Sequence, residues 1–264
     1  MGALRGIIGI DRCTSLSYKV EIVTVTAERK RAPWPIEFYR SAIGKKWVMA
    51  VTGIGIIGFS IAHMVGNLKM FLPDVNGVPD IDIYGEALRE LFDPILPHHV
   101  FLWILRTGLI IFFLLHIHAA YSLTLMNRRA RTEDYQGPRS YVAANYASRT
   151  MRWSGSIFAA FLLFHLADFT WGIQPAAPEA WERGAVFANF VETFNRPVVT
   201  LLYVVGAVLL GIHLYHGIWS MFQSLGVNNP RFNAWRRYLS ISLSSIITIG
   251  FIAPPIAVAF GLLG

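Results

Sequence analysis

Six histidines, His63, His116, His118, His165, His213 and His216, fall inside long apolar stretches of this sequence. A neutral imidazole is the commonest side-chain metal ligand, and paired histidines hold redox iron. An ionisable group at membrane depth is costly, so each of the six is a functional candidate that should face protein rather than lipid. His98 and His99 complete the eight histidines of the chain. They sit at the mouth of an apolar stretch, in easy reach of water, and are assigned no role.

The elements that must position these groups are the apolar stretches themselves, 47–68, 98–126, 151–171, 197–222 and 239–263. Each reaches the roughly 20 residues needed to cross a hydrocarbon core. Of the 264 residues, 54% are hydrophobic and 15% charged. That charged share is far below the ~25% of a soluble domain. The expected fold is therefore an all-α integral membrane protein with five transmembrane helices, the first four forming a bundle around redox centres. Residues 1–46 form a tail and 47–264 the membrane domain.

The formal net charge of +7 does not point to nucleic acid, because the basic residues cluster between apolar stretches. With Arg152 included, the tail and the loops after the second and fourth spans hold about 18 of the 23 Lys and Arg. The loop over 69–97 is instead acidic. The amino terminus is expected to be cytoplasmic, the carboxyl terminus outside, and the location a cell membrane. Arg5, Asp11 and Arg12 break the only early apolar run, so a signal peptide is not expected. The single cysteine, Cys13, excludes an internal disulfide and a metal site built from this chain's thiolates alone. Pro254 and Pro255 are expected to kink or break the fifth span, which reads as a flanking helix.

Depth follows from a rise of about 1.5 Å per residue, counted from the basic ends of the spans. His63 and His165 lie roughly 21 to 26 Å from the inner face, and His118 and His213 roughly 12 to 14 Å. They sort into an outer and an inner pair, each joining two helices. That is the arrangement for bis-histidine axial ligation of haem in a four-helix bundle. The competing account of any one such histidine is an interhelical hydrogen bond. Gly53, Gly55, Gly58, Gly155, Gly206, Gly211 and Gly217 provide room near the histidines, or ordinary close helix packing. Arg106 and Asp168 read as further buried charges, either pairing with each other or with Arg106 meeting a haem propionate.

The run Ser41-Ala42-Ile43-Gly44-Lys45-Lys46 leads into Ala62-His63-Met64-Val65-Gly66-Asn67-Leu68. His118-Ala119-Ala120-Tyr121, Phe164-His165-Leu166-Ala167-Asp168 and Gly211-Ile212-His213-Leu214-Tyr215-His216-Gly217-Ile218-Trp219-Ser220 follow. Over 39–237 the chain resembles the single-chain cytochrome b subunit of bacterial succinate:quinone and fumarate:quinone oxidoreductases. The resemblance implies five membrane helices, two b-type haems, and docking to an iron-sulfur subunit and a succinate-oxidising flavoprotein. It implies ligation of the distal haem by His63 and His165, and of the proximal haem by His118 and His213. Electrons would pass to a membrane quinone, menaquinone or ubiquinone.

His116 lies about 200° around its helix from His118, and His216 about 300° from His213, so both are alternative ligands of the inner centre. A Rieske-type [2Fe-2S] cluster also uses two histidines, but it needs two cysteines, so beyond Cys13 it would require a partner's cysteine or unusual ligation. Donors for a quinone carbonyl at the inner end are Tyr39, Ser41, Lys46, Arg152, Trp153 and His216. The competing role of such residues is interfacial anchoring. Two readings of other classes stand beside this one. One is a transporter relaying protons or metal through its histidines, and the other is a metal-free structural anchor.

Overall fold

The computed structural model describes residues 32–130, 146–227 and 229–264. It is a multi-pass, all-α membrane protein, with five helices long and apolar enough to cross a membrane and no strand among the described residues. Helices are what such sequence must form, because backbone polar groups in hydrocarbon can be satisfied only within the segment.

A short helix, α1 (Trp34–Arg40), precedes the first spanning helix, α2 (Ala42–Leu68). Ser41 separates them in extended backbone, and its Oγ accepts from the Gly44 amide at 2.9 Å as the cap of α2. Gly44 is required here, since a Cβ at this position would collide with the Phe38 carbonyl of α1. The first span thus begins inside the segment assigned to the tail.

Beyond α2 come α3 (Asp80–Arg89), α4 (Val100–Arg129), α5 (Tyr146–His165), α6 (Val186–Phe194), α7 (Pro197–Ser224) and α8 (Asn233–Ala259). The short helices α3 and α6 cover the end of the bundle opposite α1. Lys69 Nζ pairs with Asp80 at 2.7 Å, and the Phe187 amide donates to Asp82 Oδ1 at 2.9 Å. Beneath them lies a core of Met70, Ile81, Phe190, Phe194, Tyr203 and Val258.

In the bundle α2 packs on α4 and α7, and α5 packs on α7. The packing order among the described residues is thus α4, α2, α7, α5, with α2/α5 and α4/α7 the diagonal, second-neighbour pairs; neither these nor α4/α5 are closely packed. Helix α4 stands at the periphery, with Ala119 its one fully buried residue. A second core, Met64, Leu210, Leu214, Ile218 and Ile247, joins α2, α7 and α8. Small residues allow this approach: a Cβ on Gly250 would strike Met64, and one on Gly211 would strike Thr248.

The fifth span does not break at its prolines. Helix α8 continues through Pro254 and Pro255 to Ala259, and both prolines are buried. A proline φ is itself helical, and the hydrogen bonds lost fall near the end of a helix already held by α7 and α2. The Phe251 ring of α8 lies 5.8 Å from the ring of His63.

Candidate functional site

The structure brings the imidazoles into two couples, each across one diagonal of the bundle. At the α3/α6 end His63 of α2 meets His165, the last residue of α5, with ring centres 5.9 Å apart and planes at 76°. Nearer the α1 end His116 of α4 meets His213 of α7, with ring centres 6.3 Å apart and planes at 70°. Two imidazoles that each offered one nitrogen to a shared metal, at about 2 Å, would have ring centres roughly 6 Å apart.

The separation of the couples can be read twice. On α2, Gly53 faces His116 and His63 forms the other couple; on α5, Gly155 faces His213 and His165 forms the other. Ten residues of helix on each route correspond to about 15 Å along the bundle.

The outer couple sits in aromatic packing. Phe59 stacks on His63 at 5.3 Å, Phe161 stacks on His165 at 6.4 Å, and Phe169 is tilted against His165 at 5.7 Å. His165 Nδ1 lies 3.4 Å from the Tyr203 hydroxyl, which donates to Asp168 Oδ2 at 2.7 Å. Asp168 is 0% exposed and accepts also from Thr193 Oγ1 at 3.1 Å and Arg196 Nη2 at 3.4 Å. A π-helical turn, Leu166–Trp171, begins straight after His165 and carries Asp168 into this network. Such insertions recur at functional sites, because they redirect a side chain without ending the helix.

At the inner couple, Thr52 Oγ1 lies 3.1 Å from His116 Nδ1 and donates its own proton to the Val48 carbonyl at 2.6 Å. A Cβ on Gly155 would lie 3.2 Å from His213 Cε1, so glycine lets that ring rest against α5. His213 Nδ1 and His216 Nε2 are buried polar atoms without a hydrogen-bond partner in the protein.

The expected inner pair is thus arranged differently. His213 faces His116, while His118 is exposed and bonded to the Tyr39 hydroxyl, with Ser122 Oγ 3.4 Å from its Nε2. The face of α4 that meets α2 carries Phe112 against Gly55, His116 against Gly53, and buried Ala119, at helical spacing. His118 falls off that stripe.

Arg106 also departs from expectation. It is exposed, lies 5.3 Å from the Trp103 ring, and does not meet Asp168, whose partner is Arg196. A guanidinium on peripheral α4 can extend along its own helix, whereas Asp168 turns into the bundle.

Among the candidate quinone donors, Tyr39 is half-buried and bonded to His118, and His216 is buried, 6% exposed. Ser41 is occupied as the cap of α2, and Lys46, Arg152 and Trp153 are exposed. Sequence reasoning missed Lys45, which is buried, donates to the Tyr39 carbonyl at 3.1 Å and lies over the Tyr39 ring at 4.3 Å. It also missed Arg236, 1% exposed, which donates to the Val227 carbonyl and covers Trp219. Cys13 lies outside the described residues. Glu86, Glu90 and His98 place ligand atoms within 4.8 Å of one another at the α3 end, but they are largely exposed and Arg89 already bonds Glu86.

The donor set, four imidazoles in two couples across loosely spaced diagonals, fits bis-histidine haem. The glycine against His213 lets that ring lie with its Nδ1 edge along α5 while the ring faces His116. In comparison with known proteins, no family model, no curated protein and no solved structure matches this chain.

Proposed function

We propose that this chain is the membrane anchor of a succinate:quinone oxidoreductase, carrying electrons from an iron-sulfur partner subunit to a membrane quinone while a flavoprotein partner oxidises succinate. One observation carries the proposal: two imidazole couples, with ring centres 5.9 and 6.3 Å apart, span the two diagonals of one helix bundle at two levels. The sequence motifs around His63, His165 and His213 support the same reading.

His63 and His165 would hold the outer haem, and His116 and His213 the inner one, in place of the His118 and His213 set that the resemblance implies. Bound b-type haem supplies reversible one-electron transfer at each level. The protein's part is to fix ligand orientation and to exclude water. Phe59, Phe161 and Phe169 pack around the outer imidazoles, and Gly53 and Gly155 admit the inner ones. With its amino-terminal tail on the cytoplasmic side, the α1 end faces the soluble partners. Tyr39 and His118 supply hydrogen bonds to a quinone carbonyl there, and Lys45 braces Tyr39 from beneath.

Detergent extraction of membranes followed by purification through a tag on this chain tests the proposal. A flavoprotein and an iron-sulfur protein are expected to co-purify, and succinate is expected to reduce added quinone. Isolation of the chain alone, with no succinate-dependent quinone reduction in the membranes, would overturn it.

A further inference from the structure

The two couples share a device built from a neighbouring hydroxyl. Thr52 has one hydroxyl proton, and the Val48 carbonyl at 2.6 Å and the Met49 carbonyl at 3.3 Å take it. Toward His116 Nδ1, 3.1 Å away, the Thr52 oxygen can therefore only accept. The Met49 carbonyl is a second acceptor for this ring, so both neighbours favour a proton on Nδ1 and a free lone pair on Nε2. At the other couple Tyr203 commits its proton to Asp168 Oδ2 at 2.7 Å and presents only lone pairs to His165 Nδ1. Thr193 and Arg196 fill Oδ1 of the same carboxylate. His165 is thereby held with the same nitrogen protonated and the same nitrogen free.

We propose that Thr52 and Tyr203 are positioning residues, each a proton-committed hydroxyl that fixes one imidazole of its couple as the Nε2 ligand tautomer. This rests on the proposed bis-histidine centres and adds to them which side chains prepare the ligands. A histidine that donates its remote N–H is both oriented and made more electron-rich, which stabilises the oxidised metal. Each couple then has a braced member, His116 or His165. In the inner couple the opposing ring, His213, turns its Nδ1 toward α5, where the Met151 carbonyl lies one turn from Gly155. The two braces differ in kind. Thr52 is backed by neutral carbonyls of its own helix, whereas Tyr203 is backed by a buried carboxylate held from α6 and Arg196.

The test uses the whole complex purified from membranes, with Thr52→Val, Thr52→Ser and Tyr203→Phe compared against the parent. Valine keeps the shape of threonine without its acceptor, and serine restores the acceptor. Thr52→Val is expected to raise the midpoint potential of the inner centre alone, to alter its low-spin electron paramagnetic resonance signal, and to weaken metal retention by about 10- to 100-fold. Thr52→Ser should match the parent, and Tyr203→Phe should move only the outer centre. Unchanged potentials and signals in Thr52→Val and Tyr203→Phe, with both metals still bound, would overturn the inference and leave the proposed function standing. If a variant fails to assemble, pulsed resonance on the parent decides: an exchangeable proton on the remote nitrogens of His116 and His165 supports the assignment, and its absence refutes it. A parent complex without histidine-bound metal overturns the proposed function and this inference together.

Discussion

His116 and His213 face each other across the α4/α7 diagonal with ring centres 6.3 Å apart, while His118, two residues along the same helix, bonds Tyr39 instead. This separates two histidines that depth alone cannot distinguish. The His116→Ala and His213→Ala variants are expected to lose the inner haem and keep the outer one. His118→Ala is expected to keep both. Haem per chain, from a pyridine haemochrome assay on purified complex, checks this. Loss of the inner haem in His118→Ala with retention in His116→Ala would reverse the assignment.

Gly155→Ala places a Cβ 3.2 Å from His213 Cε1, and Gly53→Ala places one 3.6 Å from His116 Cε1. The first contact is tighter than ordinary van der Waals approach and the second is not. Gly155→Ala is expected to disturb the spectrum of the inner centre, whereas Gly53→Ala is expected to be tolerated. Reduced-minus-oxidised spectra of the two variants provide the comparison.

Asp168→Ala would strip one acceptor from Tyr203, Thr193 and Arg196 at a site with no exposure. Leaving a buried donor unsatisfied costs about 1–3 kcal/mol. A lowered Tm of the detergent-solubilised complex is expected, together with a change at the outer centre alone. Arg106→Gln, at an exposed position beside Trp103, is expected to leave both unchanged.

Removal of the Tyr39 hydroxyl in Tyr39→Phe should slow quinone turnover by about 2- to 10-fold, the scale of one hydrogen bond. Reduction of the haems by succinate should proceed at the parent rate. Stopped-flow absorbance with and without added quinone separates the two steps.

The five spans and the His63–His165 couple are legible in the sequence because both rest on quantities a sequence carries, apolar length and distance from a helix end. The inner couple is not, since His116 and His118 differ by only about 3 Å in depth and by some 200° in azimuth. Azimuth is set by the face of α4 that seats on α2. The stripe Phe112, His116 and Ala119, opposed to Gly55 and Gly53, is the signal that would have marked it. Arg106 misleads for a related reason, since a charge within an apolar run looks buried until its helix proves peripheral. The continuity of α8 through Pro254 and Pro255 depends on packing against α7 and α2, which no local rule contains. Thr52 and Tyr203 escape a search for ligands because they touch the ligands rather than replace them.

Whether the imidazole couples hold two haems is decided by an anaerobic optical redox titration of the purified complex, with haem and iron quantified per chain. Two b-type centres are expected, one lost in His63→Ala or His165→Ala and the other in His116→Ala or His213→Ala. A complex without haem, or one whose only histidine-dependent signal is an iron-sulfur cluster, would rule out haem at these couples.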